Sequence, residues 1–197
     1  PDVIKSLARI SHTDYTTAIH SINLMALTIG YCFYTHRTDD ETRRFGLAAM
    51  LHDVGKVEID PTVLVAPRRL TDAEFEQMKR HTTIGADIVW ETFPDLSDAI
   101  AAARDHHEKL DGSGYPSGNT DISELSRLIS IIDTYEALTN DDRPYRAAMD
   151  PMEALELMKT DVDRGCFDRV IFVDFAYSLT DFTRATSRKM PDRLFQN

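Results

Sequence analysis

The chain has 197 residues, enough for one domain with its own core, and 42% of them are hydrophobic, which excludes wholesale disorder. Its 33 acidic against 22 basic residues give a formal net charge of −11, which argues against a general nucleic-acid binder that depends on many phosphate contacts. The same charge speaks against any phosphate-bearing substrate, unless a local site reverses it.

Spacing predicts an almost wholly helical chain. Residues 1–13 read as a lead-in. Asp14 is placed to cap a helix to about residue 34, with Ile19, Ile22, Leu24, Leu27 and Tyr31 as its apolar face. Asp40 is placed to cap a second helix, with Phe45, Ala48, Ala49 and Leu51 inward, running through His52-Asp53 to about Gly55. Residues 57–70 hold two prolines and no sustained period, so a loop with one turn of helix is expected. Thr71 and Glu74 form a capping box opening a long helix to about residue 92, with Phe75, Met78 and Ile84 inward. A helix over about 95–107 precedes the most loop-like stretch, 111–120 (DGSGYPSGNT).

A helix over about 124–138 carries the stripe Leu125, Leu128, Ile129, Ile132 and Tyr135. Asp150-Pro151 reads as an N-cap followed by proline at the first helical position. Residues 169–179 are apolar enough for a last helix, although a strand also fits. From residue 180 the chain turns polar, as a solvated tail or terminal helix. Cys32 and Cys166 form no CxxC pair and read as buried free thiols, which suits a reducing cytoplasm. The longest apolar run, 22–33, is about half a bilayer span, so no membrane helix is expected. No charged-then-apolar leader opens the chain, and its start at Pro1 fits a trimmed terminus or a domain of a longer protein.

The histidines carry the chemistry. His20, His52, His81, His106 and His107 fall on or at the ends of predicted helices, and His52 and His107 directly precede Asp53 and Glu108. A lone helix histidine is ordinarily structural or exposed. Five together with Asp53 and Asp133 point instead to a metal site built from inward side chains of a bundle. Imidazole with carboxylate suits iron, manganese, nickel or zinc. Neighbours on a helix point about 100° apart, so His52 and Asp53 would flank a larger cluster in which a carboxylate bridges two ions. Seven candidate ligands are too many for one ion and about right for two. His12 and His36 are expected to be solvated.

His52-Asp53-Val54-Gly55-Lys56 resembles the HD-x-GK core of the HD phosphohydrolase superfamily. His106-His107-Glu108 followed by Asp111-Gly112-Ser113-Gly114-Tyr115-Pro116 resembles the HHE…DGxGYP signature of its HD-GYP subgroup. Further matches are Leu70-Thr71…Glu74…Met78…His81…Gly85, then Asp133 leading to Ala137-Leu138-Thr139 and Arg143-Pro144-Tyr145, so the resemblance spans about 14–160.

What this resemblance implies is an all-α, single HD-domain-like bundle over 14–179, hydrolysing cyclic di-GMP to linear pGpG, and on to GMP after a second cut. It implies His20, His52, Asp53, His81, His106, His107 and Asp133 as ligands of two divalent ions, iron or manganese first, nickel or zinc as alternatives, with Asp53 bridging. Lys56 reads either as a cation at a helix C-terminus or as a point charge on a substrate phosphate, and the resemblance favours the phosphate. Arg143 and Arg146 read as phosphate or guanine binders, against salt bridging to Asp141 and Asp142. Tyr115 and Pro116 either line the mouth of the site or form a rigid turn. The resemblance also implies docking of GGDEF-type cyclases on that loop, admits a homodimer, and places the domain behind an upstream regulatory domain in the cytoplasm.

Three departures stand out. Trinuclear relatives carry glutamate four residues before the first histidine, where this chain has Thr16, which predicts two metals and pGpG as the main product. The loop between Pro116 and Ile122 is a residue or two short, and one extra residue at Asn140-Asp141-Asp142 can displace Arg143. Rival readings are a nucleotide sensor with little turnover and an HD phosphohydrolase for another nucleotide such as cyclic GMP-AMP.

Overall fold

A computed structural model describes residues 3–13, 15–140 and 148–187, with side chains over 3–9, 16–140 and 148–180. Asp14, Arg143 and Arg146 lie outside the described residues, and so does the side chain of His12. Among the described residues the chain is all-helical, with no strand. Its helices are α1 (Val3–Thr13), α2 (Tyr15–Tyr34), α3 (Asp39–Leu51), α4 (Pro61–Leu64), α5 (Asp72–Lys79), α6 (His81–Thr92), α7 (Ser97–Asp105), α8 (Glu124–Thr139), α9 (Pro151–Asp163) and α10 (Arg169–Ser187). A 3-10 helix, Val54–Glu58, joins α3 to the α4 loop.

The bundle is built around α8. Leu125, Leu128, Ile129, Ile131 and Ile132 are all buried, so this helix is apolar on most sides and packs against α2, α7, α9 and α10. Phe175 of α10 and Met158 of α9 close one flank, and Tyr135 meets Phe175 edge-on. Leu24 of α2, Leu51 of α3 and Ile88 of α6 complete the core on the other side. Residues 3–13, read from the sequence as a lead-in, form α1, whose buried Val3 joins the same core while its amide donates to Thr92 Oγ1. No helix among the described residues is long and apolar enough to cross a membrane.

Local chemistry explains where the elements differ from the sequence reading. The N-cap of α3 lies two residues before the expected one, because Thr38 and Glu41 exchange side-chain and backbone hydrogen bonds in a capping box that Asp40 cannot make. The box at Thr71 and Glu74 forms as expected, but the helix it opens breaks at Arg80 into α5 and α6. That break frees the first turn of α6 to turn His81 inward, and it leaves Phe75 exposed instead of inward. Ile22, also placed on an apolar face, is exposed. The helix expected over 95–107 is shorter, Ser97–Asp105. Cys32 is a buried free thiol, whereas Cys166 is only partly covered and bonds to Asp111. His36 is exposed and adopts a positive φ of 57°.

Two glycines let backbones meet. A Cβ on Gly55 would lie 2.0 Å from the His81 carbonyl oxygen and 2.5 Å from Gly85 N. The 3-10 helix and α6 thus touch backbone to backbone, a contact that only glycine permits.

Candidate metal centre

Each element delivers one or two of the expected ligands to one buried spot. Helix α2 brings His20, the end of α3 brings His52, and the turn after it brings Asp53. His81 opens α6, His106 and His107 follow α7, and Asp133 sits on α8. The difficulty of aiming His52 and Asp53 at one point disappears because α3 ends at Leu51. His52 is its C-cap, and Asp53 leaves the helix at φ −100°, ψ 8°.

These side chains form three overlapping groups whose ligand atoms lie within 4.8 Å of one another: His81, His106 and His107; His20, His52 and Asp133; His52, Asp53 and His106. Asp53 lies between the first two. Its Oδ2 is 3.3 Å from His52 Nε2 and 3.6 Å from His20 Nε2, while its Oδ1 is 3.3 Å from His81 Nε2 and 3.8 Å from His106 Nε2. One oxygen thus faces each histidine group. On the far side Asp133 Oδ1 is 3.1 Å from His20 Nε2, and its Oδ2 is 3.9 Å from His107 Nδ1.

The rings are aimed by their other nitrogens. His52 Nδ1 donates to Ala49 O at 2.7 Å, His81 Nδ1 to Met78 O at 2.7 Å, and His106 Nδ1 to Ala102 O at 2.9 Å. A carbonyl only accepts, so the tautomer follows from the partner: in a neutral ring Nε2 carries the lone pair. The lone pairs of His81 and His106 therefore converge, their Nε2 atoms 3.3 Å apart, and that of His52 faces His20 Nε2, also at 3.3 Å. Asp53 Oδ1 is buried among them with no hydrogen-bond donor. Acceptors facing acceptors in a buried site fit cations between them, and the donor set of imidazole and carboxylate suits divalent ions.

Protonation agrees. Burial lowers His81 to about 4 and His107 to about 3, and holds His106 well below its ordinary value, so these rings are neutral near pH 7. For His20 burial also opposes charge, but hydrogen bonds to Asp133 and Glu136 outweigh it and raise the ring to about 9. Burial opposes the charge of Asp53 and Asp133 as well. Lys56 and His52 nonetheless hold Asp53 well below the ordinary carboxylate range, and His20 does the same for Asp133.

Lys56 leaves the 3-10 helix with Nζ 2.6 Å from Asp53 Oδ2. Tyr115 lies with its ring 4.6 Å from that of His107, flanked by Phe75 at 6.0 Å and by Lys79 Nζ 5.5 Å from its centroid. The glycine-rich loop is held there by the turn below it. Tyr115 N donates to His107 O, Ser117 N donates to Glu108 Oε1, and a Cβ on Gly114 would lie 2.4 Å from Lys109 N. A fixed turn thus puts the Tyr115 ring against a member of the histidine cluster. Thr16, at the position where trinuclear relatives carry glutamate, is exposed.

The sequence reading assigned no role to two buried acids at the site. Glu136 hydrogen-bonds His20 Nδ1, and Glu108, whose Oε2 has no partner, bonds the glycine-rich loop. Glu136 was visible in principle, because three residues after Asp133 on α8 puts it on the same face.

Comparison with known proteins gives the same fold. A cyclic di-GMP phosphodiesterase of Pseudomonas aeruginosa is 34% identical over 177 residues, covering 89% of this chain and 42% of that protein. A 3'3'-cGAMP-specific phosphodiesterase of Vibrio cholerae is 39% identical over 126 residues, covering 61% of this chain and 27% of that protein. The chain thus spans less than half the length of these curated relatives. Among solved structures, an HDG"Y"P protein from Bdellovibrio bacteriovorus superposes with a TM-score of 0.64 at 22% identity, covering 85% of this chain and 53% of that one. The phosphodiesterase PgpH HD domain of L. monocytogenes, in complex with cyclic-di-AMP, gives 0.66 at 16% identity, covering 95% and 99%. At these identities the superpositions speak for the fold. The family described as HD domain matches residues 7–171, a stretch that runs from within α1 to the start of α10 and includes every histidine of the buried cluster, and the chain belongs to that family.

Proposed function

We propose that this chain is a metal-dependent phosphodiesterase that hydrolyses cyclic di-GMP to linear pGpG. The observation that carries the reading is Asp53, whose two oxygens each face a separate group of histidines. In this reading His20, His52 and Asp133 would hold one divalent ion, His81, His106 and His107 would hold the other, and Asp53 would be shared between them. The ions are iron or manganese, with nickel or zinc as the alternatives. Such a pair supplies, when bound, a water acidified toward neutral pH and neutralisation of phosphate oxygens.

The chain's own residues do the rest. Lys56 brings three donors and a positive charge beside Asp53, where the scissile phosphate is to sit. Tyr115 offers a ring face at the rim of the site, suited to a guanine base or ribose. Arg143 and Arg146 are assigned to phosphate and guanine recognition. The buried shell around Asp53 excludes bulk water, so each placed charge acts at short range and low dielectric. The reaction class is in-line displacement at phosphorus with the ribose 3′ oxygen leaving. The unit proposed to carry this activity is 14–179 with α1 packed onto it, working in the cytoplasm behind a regulatory domain. GGDEF-type cyclases at the glycine-rich loop and a homodimer are further parts of the proposal.

A second reading has a specific support. The relatives include 3'3'-cGAMP-specific phosphodiesterases of Vibrio cholerae, so the mixed dinucleotide is a competing substrate. Purification without oxygen, metal analysis, and chromatography after incubation with each dinucleotide plus Fe(II) or Mn(II) decides both points. The expected result is pGpG from cyclic di-GMP. Protein carrying two ions per chain that cuts neither dinucleotide would overturn the enzyme reading, and faster cutting of 3'3'-cGAMP would reassign the substrate.

A further inference from the structure

His20 is oriented differently from His52, His81 and His106. The Nδ1 atoms of His52, His81 and His106 donate to backbone carbonyls, which are neutral and fixed by the helix ends that carry them. His20 Nδ1 instead donates to Glu136 Oε2 at 2.5 Å, a carboxylate only 3% exposed. The second oxygen of Glu136 is also fully engaged, accepting from Asn23 Nδ2 at 2.9 Å and Asn140 Nδ2 at 2.6 Å. Asn23 is three residues beyond His20 on α2, and Asn140 is the C-cap of α8. The acid is thus gripped by donors from both helices that meet at this end of the cluster. Among its side-chain partners within the described residues, the only group able to carry positive charge is His20.

We infer that Glu136 is the positioning residue of His20: it fixes the Nδ1–H tautomer, turns Nε2 toward Asp53 and Asp133, and strengthens that nitrogen as a metal donor. A carboxylate behind a ligating imidazole does this in general, and its removal typically weakens metal binding by about 10–100-fold. The geometry here makes glutamine a poor replacement. An amide oriented to accept from His20 Nδ1 turns its own NH2 toward the Asn23 and Asn140 donors, so both of those contacts are lost.

This inference rests on the metal-dependent reading above, and its test separates the two. Metal affinity is measured by competition with a chromophoric chelator, using Mn(II) and Zn(II), on wild type, Glu136→Gln and Glu136→Ala. The expected result is wild type with two ions per chain, and variants in which one ion is weakened about 10–100-fold while the other is kept. Excess Mn(II) is expected to restore kcat in Glu136→Gln with KM unchanged, which a general loss of packing would not produce. Variants that hold both ions with wild-type affinity would refute the positioning role and leave the metal reading intact. Wild type that binds no divalent ion would sink both. Should the variants fail to fold, long-range 1H–15N NMR on zinc-loaded wild type gives the answer directly. A His20 bound through Nε2 with a strongly deshielded Nδ1–H is expected, and binding through Nδ1 overturns the inference.

Discussion

Replacing Gly55 by alanine is the sharpest mechanical test of how the fold holds the site. The added Cβ would stand 2.0 Å from the His81 carbonyl oxygen, 2.5 Å from Gly85 N and 2.9 Å from Gly85 Cα. All three are backbone atoms, so no rotamer change relieves the overlap, and α6 must move away from the 3-10 helix. Ordinary contact begins at 3.4 Å, so the nearest pair has to open by about 1.4 Å. His81 is the residue being pushed, and its Nε2 lies 3.3 Å from Asp53 Oδ1. Metal–ligand distances tolerate about 0.2 Å, so a shift of this size removes His81 from any site it shares with Asp53. Overpacking typically costs about 1–3 kcal/mol, and a backbone clash belongs at or above the top of that range. At about 2–4 °C per kcal/mol for a domain of this size, 3 kcal/mol lowers Tm by about 6–12 °C. Gly85→Ala is the control, since its Cβ would meet Gly55 N at 3.2 Å and needs only a few tenths of an ångström. The assays are calorimetry of the metal-free protein and metal content by mass spectrometry. A Gly55→Ala protein that keeps two ions and melts within about 2 °C of wild type would refute the claim that this backbone contact sets the distance between His81 and Asp53.

The other expectations concern charge. Lys56→Ala keeps both ions, because the lysine is paired with Asp53 and is no ligand, yet raises KM for cyclic di-GMP; metal loss in this variant contradicts the assigned role. Metal-free stability depends on pH from both sides. His81 and His107, lowered to about 4 and about 3 by burial, contribute stability that is complete above about 6.5 and is lost as pH falls toward those values. His20, raised to about 9 by its carboxylate partners against burial, contributes stability that is complete below about 6.5 and fades as pH rises through 9. Melting curves with chelator present should therefore peak near pH 6.5, and a flat profile from pH 4 to 9 would contradict these assignments.

The sequence was most legible where chemistry repeats and least where tertiary contacts intervene. All seven residues read as candidate ligands meet in one place, because an HD pair, an HH pair and three isolated positions leave few arrangements in a helical bundle. Helix ends were harder. Thr38 outcompetes Asp40 as a cap because only its box with Glu41 satisfies both partners. The break at Arg80 has no proline or glycine to announce it, and its consequence is positional: it lets His81 enter the cluster at the first turn of α6. Glu136 and Glu108 were given no role for a related reason. A buried acid that serves a histidine or a loop amide looks, in sequence, like one more charge on a solvated face.

The net charge of −11 comes back at this point with a different meaning. The cluster itself is acidic: Asp53, Asp133 and Glu136 are buried together, and among the described side chains at the site only Lys56 and His20, the latter raised to about 9 by Asp133 and Glu136 against burial, offset them. Lys56 is also already engaged, with Nζ 2.6 Å from Asp53 Oδ2. A dianionic dinucleotide entering this pocket without metal would meet carboxylates, and a lysine held by one of them. With two divalent ions held, the same residues surround a net positive centre. Asp53 would then share its charge with the ions, and Lys56 would be free to pair with a phosphate. Binding of cyclic di-GMP should accordingly require the ions even when no hydrolysis follows. Calorimetric titration in EDTA should show no binding, against clear binding by metal-loaded protein at low temperature or with a non-hydrolysable thiophosphate analogue. Equal affinity in the two conditions would mean that the dinucleotide is recognised outside the histidine cluster, and would move the protein from the enzyme class to that of a metal-independent sensor.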